Sequence, residues 1–167
     1  MDEQKFWKII EESLQGAHGS QAVQKAKLKK ILSTLDAGEI AAFDQIFTRL
    51  MHKSYTWDLW GGAYVLNGGC SDDSFEYFRR GLIASGREKF ERSLKDPEYL
   101  ADWAEPDELE FEDIEQVVYD VYKEKTGSDK HPEHGLKHPK TPSGEKWRED
   151  GDDLETRFPH LWAKFGE

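Results

Sequence analysis

The 27 residues from Trp57 to Ile83 constrain the fold of this chain most, because their spacing fits two helices joined by a capped turn. Trp57, Trp60 and Tyr64 recur at intervals of three and four, and Phe75, Phe78 and Leu82 do the same beyond the break. Between them, Asn67-Gly68-Gly69 is a helix stop, since glycine enters the left-handed region without a Cβ penalty. Ser71 fits the N-cap of the second helix. Asp72 and Asp73 then fall in its first turn, facing the positive end of the helix dipole.

The same period runs through the flanking segments. Asp2 to Leu14 predicts a helix with Phe6, Ile10 and Leu14 on one face and Trp7 beside them. Gln21 to Leu35 predicts a second, gathering Leu28, Ile31, Leu32 and Leu35, and its lysines (Lys25, Lys27, Lys29, Lys30) read as a solvated face. Asp36 caps a third, reaching Tyr55, whose stripe of Ile40, Phe43, Phe47, Leu50 and Ser54 is widened by Ile46 and Met51. After a bend at Gly86, Arg87 to Leu94 resumes the pattern, Pro97 opens a short helix with Tyr99, Leu100 and Trp103, and Ile114 to Tyr122 is amphipathic. No stretch of useful length alternates at period two. The expectation is an all-α, single-domain bundle of about six to eight helices.

Residues 127–151 differ from the rest. They are rich in Pro, Lys, His, Gly and Ser, with Leu136 the only aliphatic side chain, and they read as a long irregular loop over a helical core of residues 1–126. Residues 152–167 recover a pattern in Leu154, Phe158, Leu161, Trp162 and Phe165, expected to dock back on that core. Pro159 cannot sit inside a continuous helix, so a turn followed by a terminal helix starting at Pro159 is expected.

Three motifs of the central stretch, Trp57-Asp58-Leu59-Trp60, Gly68-Gly69-Cys70-Ser71-Asp72-Asp73 and Phe75-x-x-Phe78-Arg79, resemble the signature of a bacterial family, domain-of-unknown-function family 4240. The likeness runs from Phe6 to about Tyr122, and less clearly to Leu161-Trp162. It implies a soluble bacterial helical domain without an established activity. It carries over no catalytic residue.

Charge narrows the function classes. The net charge is −11, and ten acidic residues with no Lys or Arg lie between Glu98 and Tyr122. Nucleic acid needs a basic footprint and is not expected as a partner, nor is an anionic membrane surface. The asymmetry permits a basic protein partner, whose identity the residues do not name, and it permits nucleic-acid mimicry, against the plainer reading of a solvated acidic face. A lone cysteine, no long apolar run and an acidic amino terminus suit a cytoplasmic protein without a signal peptide or membrane span.

Each chemical candidate has a structural counterpart. Trp57, Trp60 and Tyr64 offer flat area, and Asn67, Asp58, Asp72, Asp73, Arg79 and Arg80 offer directed polar groups. Together they are the candidate ligand- or partner-binding set, against core packing, caps and an Asp58 pairing with Arg79 or Arg80. His131, His134 and His138 have short spacings that could hold zinc, against irregular proline geometry and a distant cysteine; they are weak candidates, and no metal or cofactor is expected. Cys70 lies by a helix N-terminus, but Asp72 and Asp73 oppose a thiolate. Gly61-Gly62 and Gly68-Gly69 lack the ending of a phosphate loop and read as packing and turn residues. No catalytic residue is assigned. The leading expectation is a non-catalytic interaction or regulatory module, of which small acidic inhibitor and immunity proteins are one kind. The alternative is an enzyme or binder of a small nucleotide or polar metabolite using the Trp57–Arg80 region.

Overall fold

A computed structural model describes residues 1–166. The amphipathic segments become helices where their caps direct. Asp2 accepts from the Lys5 amide to start α1 (Glu3–Leu14), Ser20 caps α2 (Gln21–Leu32), and Asp36 accepts from the Glu39 amide to start α3 (Ala37–Lys53). Helix α2 stops at Leu32, short of the expected Leu35, because residues 33–35 close into a turn. Thr56 caps α4 (Trp57–Asn67), which ends where Gly68 takes φ +67°, and Ser71 caps α5 (Asp72–Ala84). Gly86, at φ +103°, sets the bend before α6 (Arg87–Lys95). A 3-10 turn, Pro97–Tyr99, runs into α7 (Leu100–Trp103), followed by α8 (Ile114–Thr126), α9 (Asp153–Arg157) and α10 (Pro159–Phe165).

The protein is all-α. The described residues form ten α-helices rather than six to eight, the excess being the short pieces α7, α9 and α10. Their only β-type pairing is one bridge between Thr56 and Ser143. None of these helices is long and apolar enough to cross a membrane.

Helices α1, α2, α3, α5 and α8 enclose the core, whose centre is Phe6, Phe43, Phe47, Phe75, Phe78, Leu82, Ile114 and Val118. Helix α8 buries Ile114, Val117, Val118 and Val121 against α3 and α2. Two lysines of α2 are not merely solvated: Lys25 reaches Asp113 at 2.6 Å and Lys29 reaches Glu124 at 3.5 Å. At Gly81 a Cβ would stand 1.5 Å from the Leu109 carbonyl oxygen, so only glycine lets the 109–111 segment lie on α5, where the Phe111 amide donates to the Tyr77 carbonyl at 3.0 Å.

Residues 127–151 are irregular, as their composition predicts, yet they are anchored. Leu136 is exposed, whereas Trp147 is buried against α4. Ser143 exchanges backbone hydrogen bonds with Tyr55 (3.0 Å) and Trp57 (2.9 Å). Counting aliphatic side chains therefore missed the residue that fastens the loop. Leu154, Phe158 and Leu161 are buried over the same helix. Gly61 and Gly62 make room for them: a Cβ on Gly61 would meet Phe158 at 2.7 Å, and one on Gly62 would meet Pro97 at 2.7 Å. The carboxylate of Glu98 accepts from the His160 and Leu161 amides, at 2.7 and 3.1 Å, and satisfies the start of α10.

Candidate functional site

Trp57 and Trp60, three residues apart on α4, stack at 5.2 Å with their planes 5° apart. Trp60 stacks in turn on Phe75 of α5, at 5.1 Å and 12°. Tyr55 lies beside this row, 6.3 Å from Trp60 and 6.1 Å from Phe75. The turn holds the two helices in register, since the Trp60 indole donates to the Cys70 carbonyl at 2.8 Å. A cation stands at each end. Lys146 Nζ is 5.2 Å from the centre of the Trp57 ring, and the Arg79 guanidinium carbon is 4.6 and 4.7 Å from the Phe75 and Tyr55 rings.

At the Trp57 end the row opens into a groove of about 590 Å³, lined by Trp57, Trp60, Cys70, Trp147 and the charged run 148–150. Trp147 forms its wall, edge-on to Trp57 at 6.1 Å and Trp60 at 6.3 Å, and it rests against Tyr64 at 5.0 Å. Three of the sequence candidates thus come together: Trp57, Trp60 and Tyr64.

The polar candidates go elsewhere. Asp58 pairs with Arg157 of α9 at 3.6 Å, not with Arg79 or Arg80, because its side of α4 faces the C-terminal segment. Asn67 accepts from the Asp107 amide at 2.9 Å and steadies a turn in which Asp107 itself has φ +63°. Asp72 meets the Tyr55 hydroxyl at 3.4 Å, and Asp73 is exposed in the first turn of α5. Arg80 is tied to Glu76 (2.9 Å), Glu115 (3.0 Å) and the Glu112 carbonyl (2.7 Å). Asp58 therefore lies with the C-terminal segment, apart from Arg79, whereas Asp72 meets the same Tyr55 whose ring packs on Arg79.

Arg79 is the exception among the charged groups. It is 2% exposed, and its Nε and Nη1 have no hydrogen-bond partner. Burial lowers its pKa to about 10, so it remains a cation at neutral pH. Burial likewise pushes the Cys70 thiol up to about 12, helped by Glu110 and Asp72 and opposed by Arg79. A thiol so protonated is a poor nucleophile.

The three loop histidines take three different partners. His131 stacks on Tyr119 at 3.9 Å, His134 Nε2 is 3.5 Å from Asp44 Oδ2, and His138 rests on Tyr55 at 4.9 Å with His52 5.3 Å away. Among the described residues no three His, Cys, Asp or Glu side chains gather as a metal-binding group. Asp44 is 2% exposed, with Oδ1 unpartnered, and burial raises its pKa to about 7, with Glu115 adding to the rise. Tyr55, Asp44 and Trp147 were not among the sequence candidates. The signal for Asp44 was present, since it stands four residues after Ile40 and three before Phe47, inside the apolar stripe of α3. Trp147 was legible as the one tryptophan of a segment otherwise poor in apolar residues.

No curated protein and no solved structure matches the chain. A family model does match, over residues 1–124, and its description is "Protein of unknown function (DUF4240)". The aromatic row and Arg79 lie wholly within those residues, whereas Trp147 and the loop histidines lie beyond them. With that match spanning helices α1 to α7 and nearly all of α8, the chain belongs to the DUF4240 family.

Proposed function

We propose that the chain is a non-catalytic interaction or regulatory module that takes a basic segment of a protein partner into the aromatic groove. The observation that carries this reading is Lys146, which already sits as a cation 5.2 Å over Trp57. A partner's Arg or Lys would take that ring face by displacing Lys146, since Trp60 stacks on Trp57 at 5.2 Å, and flat rigid aromatics are the residues that anchor interfaces. Charge favours such a partner. The groove wall is balanced, Lys146 and Arg148 against Glu149 and Asp150, but acids flank it, and Glu110 lies near enough to Cys70 to raise its pKa. Glu105, Asp107 and Glu108 are exposed on the turn held by Asn67. A net charge of −11 steers cationic surfaces toward the protein. Small acidic inhibitor and immunity proteins are one kind of such module. The protonated thiol of Cys70 and the engaged carboxylate of Asp58 support the non-catalytic part.

The reading is tested by tryptophan fluorescence titration with a Lys/Arg-rich peptide and with a Glu-rich peptide of equal length. The basic peptide should quench saturably, weaken with added salt and bind roughly tenfold less tightly to Trp57→Ala. Equal binding of the acidic peptide, or a protein partner that ignores Trp57→Ala, would overturn it.

A further inference from the structure

At the other end of the aromatic row Arg79 is left unexplained by the groove. A buried guanidinium is normally held by carboxylates or carbonyls, because leaving its donors unsatisfied costs free energy. Here two of its nitrogens have none. The nearest acids are spoken for: Asp72 by the Tyr55 hydroxyl and Glu76 by Arg80. The rings of Tyr55 and Phe75 pack on the guanidinium, and its N–H donors, which point within the guanidinium plane, remain free.

Two imidazoles gather on the Tyr55 side of it. His138 packs on Tyr55 and against His52, and burial together with His138, His134 and Arg79 lowers the His52 pKa. The segment that brings His134 and His138, residues 128–142, also carries Lys130, Lys137 and Lys140 against only Asp129 and Glu133. His138 thus shares the Tyr55 ring with the unpaired guanidinium, and His52 packs on His138.

We infer that Arg79 anchors a binding site for the oxyanion group of a small molecule, a phosphate or a carboxylate, and that residues 128–142 close over it as a lid. An oxyanion in the guanidinium plane supplies acceptors for Nε and Nη1, and His52 and His138 are placed to add donors. The covering segment is built to move. Among the described residues none of its backbone groups hydrogen-bonds to another backbone group. It is held by side chains, with His134 on Asp44 as its latch, between Gly127 (φ +71°), which has no atom near its Cβ position, and Ser143, whose backbone bonds to Tyr55 and Trp57 pin the far end. This site is separate from the groove, and its test uses different probes.

The test follows the Arg79 Nε–Hε signal of ¹⁵N-labelled full-length protein by nuclear magnetic resonance, assigned by its loss in Arg79→Lys. Inorganic phosphate and acetate are titrated separately, with sodium chloride at matched ionic strength as control. A saturable movement with phosphate assigns a phosphate group, and one with acetate alone assigns a carboxylate. His138→Ala, which leaves the core helices untouched, should weaken either by roughly tenfold. The inference fails if the Arg79 signal stays in place with both anions or moves equally with chloride. Where Arg79→Lys does not fold, the signal is assigned instead by through-bond connectivity along the Arg79 side chain of ¹³C,¹⁵N-labelled full-length protein, so the result does not depend on that variant.

Discussion

From Glu3 to Thr126 the chain satisfies its backbone mainly inside helices and buries continuous apolar stripes. From Gly127 to Gly166 it is fastened to that core by a handful of groups: Trp147, Phe158 and Leu161 by burial, Ser143 by two backbone bonds, and Glu98, Asp58 and Asp44 by polar contacts with α10, Arg157 and His134. A region held by many small contacts opens as a unit, whereas one held by few anchors opens locally and cheaply. The difference places the aromatic groove and the buried Arg79 at the boundary between a rigid floor and a releasable cover.

The most damaging way to break the contrast is Gly81→Ala. Its Cβ would meet a backbone oxygen rather than a side chain tip, so α5 and the 109–111 segment must part. Urea denaturation should show global stability lowered by about 3 kcal/mol or more, and a loss below about 1 kcal/mol would mean the core yields as readily as the cover.

Asp44→Asn tests the latch through pH. The folded pKa of Asp44, about 7, lies above its ordinary 3.8, so its contribution to stability is complete below pH 3.8 and is lost as pH rises through 7. Asparagine removes that loss. At about 1.4 kcal/mol per pH unit, the variant should gain about 2.5 kcal/mol on wild type between pH 5 and pH 8. Parallel stability curves for the two proteins over that range would show that Asp44 is not held neutral by burial.

Trp147→Ala should act on the cover alone. Trypsin cleavage after Lys140 and Lys146 should quicken, while amide exchange in α3 and α5 stays as it was and global stability falls by about 2 kcal/mol at most. If core exchange rises equally, the two regions form one cooperative unit. Smallest is Glu98→Gln, which keeps an acceptor but removes the charge at the start of α10. It should cost about 1 kcal/mol, read as earlier thermal loss of the C-terminal segment.

Much of the core was legible because its logic is local. The caps at Ser71 and Asp36, the stop at Gly68 and the start at Pro159 follow from residues within four positions of one another. The site was legible only in part. Trp57, Trp60 and Tyr64 advertised a shared face by their spacing. Arg79 stands four residues after Phe75 and three before Leu82, so its burial was readable from the stripe; that it would lack a carboxylate was not. Asp58 looked like a partner for Arg79 or Arg80 and instead meets Arg157, 99 positions on, across a contact that no local rule specifies.

The sequence by itself determined the helices, their buried faces and the acidic character, because periodicity, capping and charge act over one or two turns of chain. Only the tertiary structure decided that Trp147 walls the groove, that His134 reaches Asp44, and that a guanidinium is buried without a counter-ion. Those outcomes depend on which distant surfaces meet once the apolar stripes have packed, and on which polar groups that packing leaves without a partner.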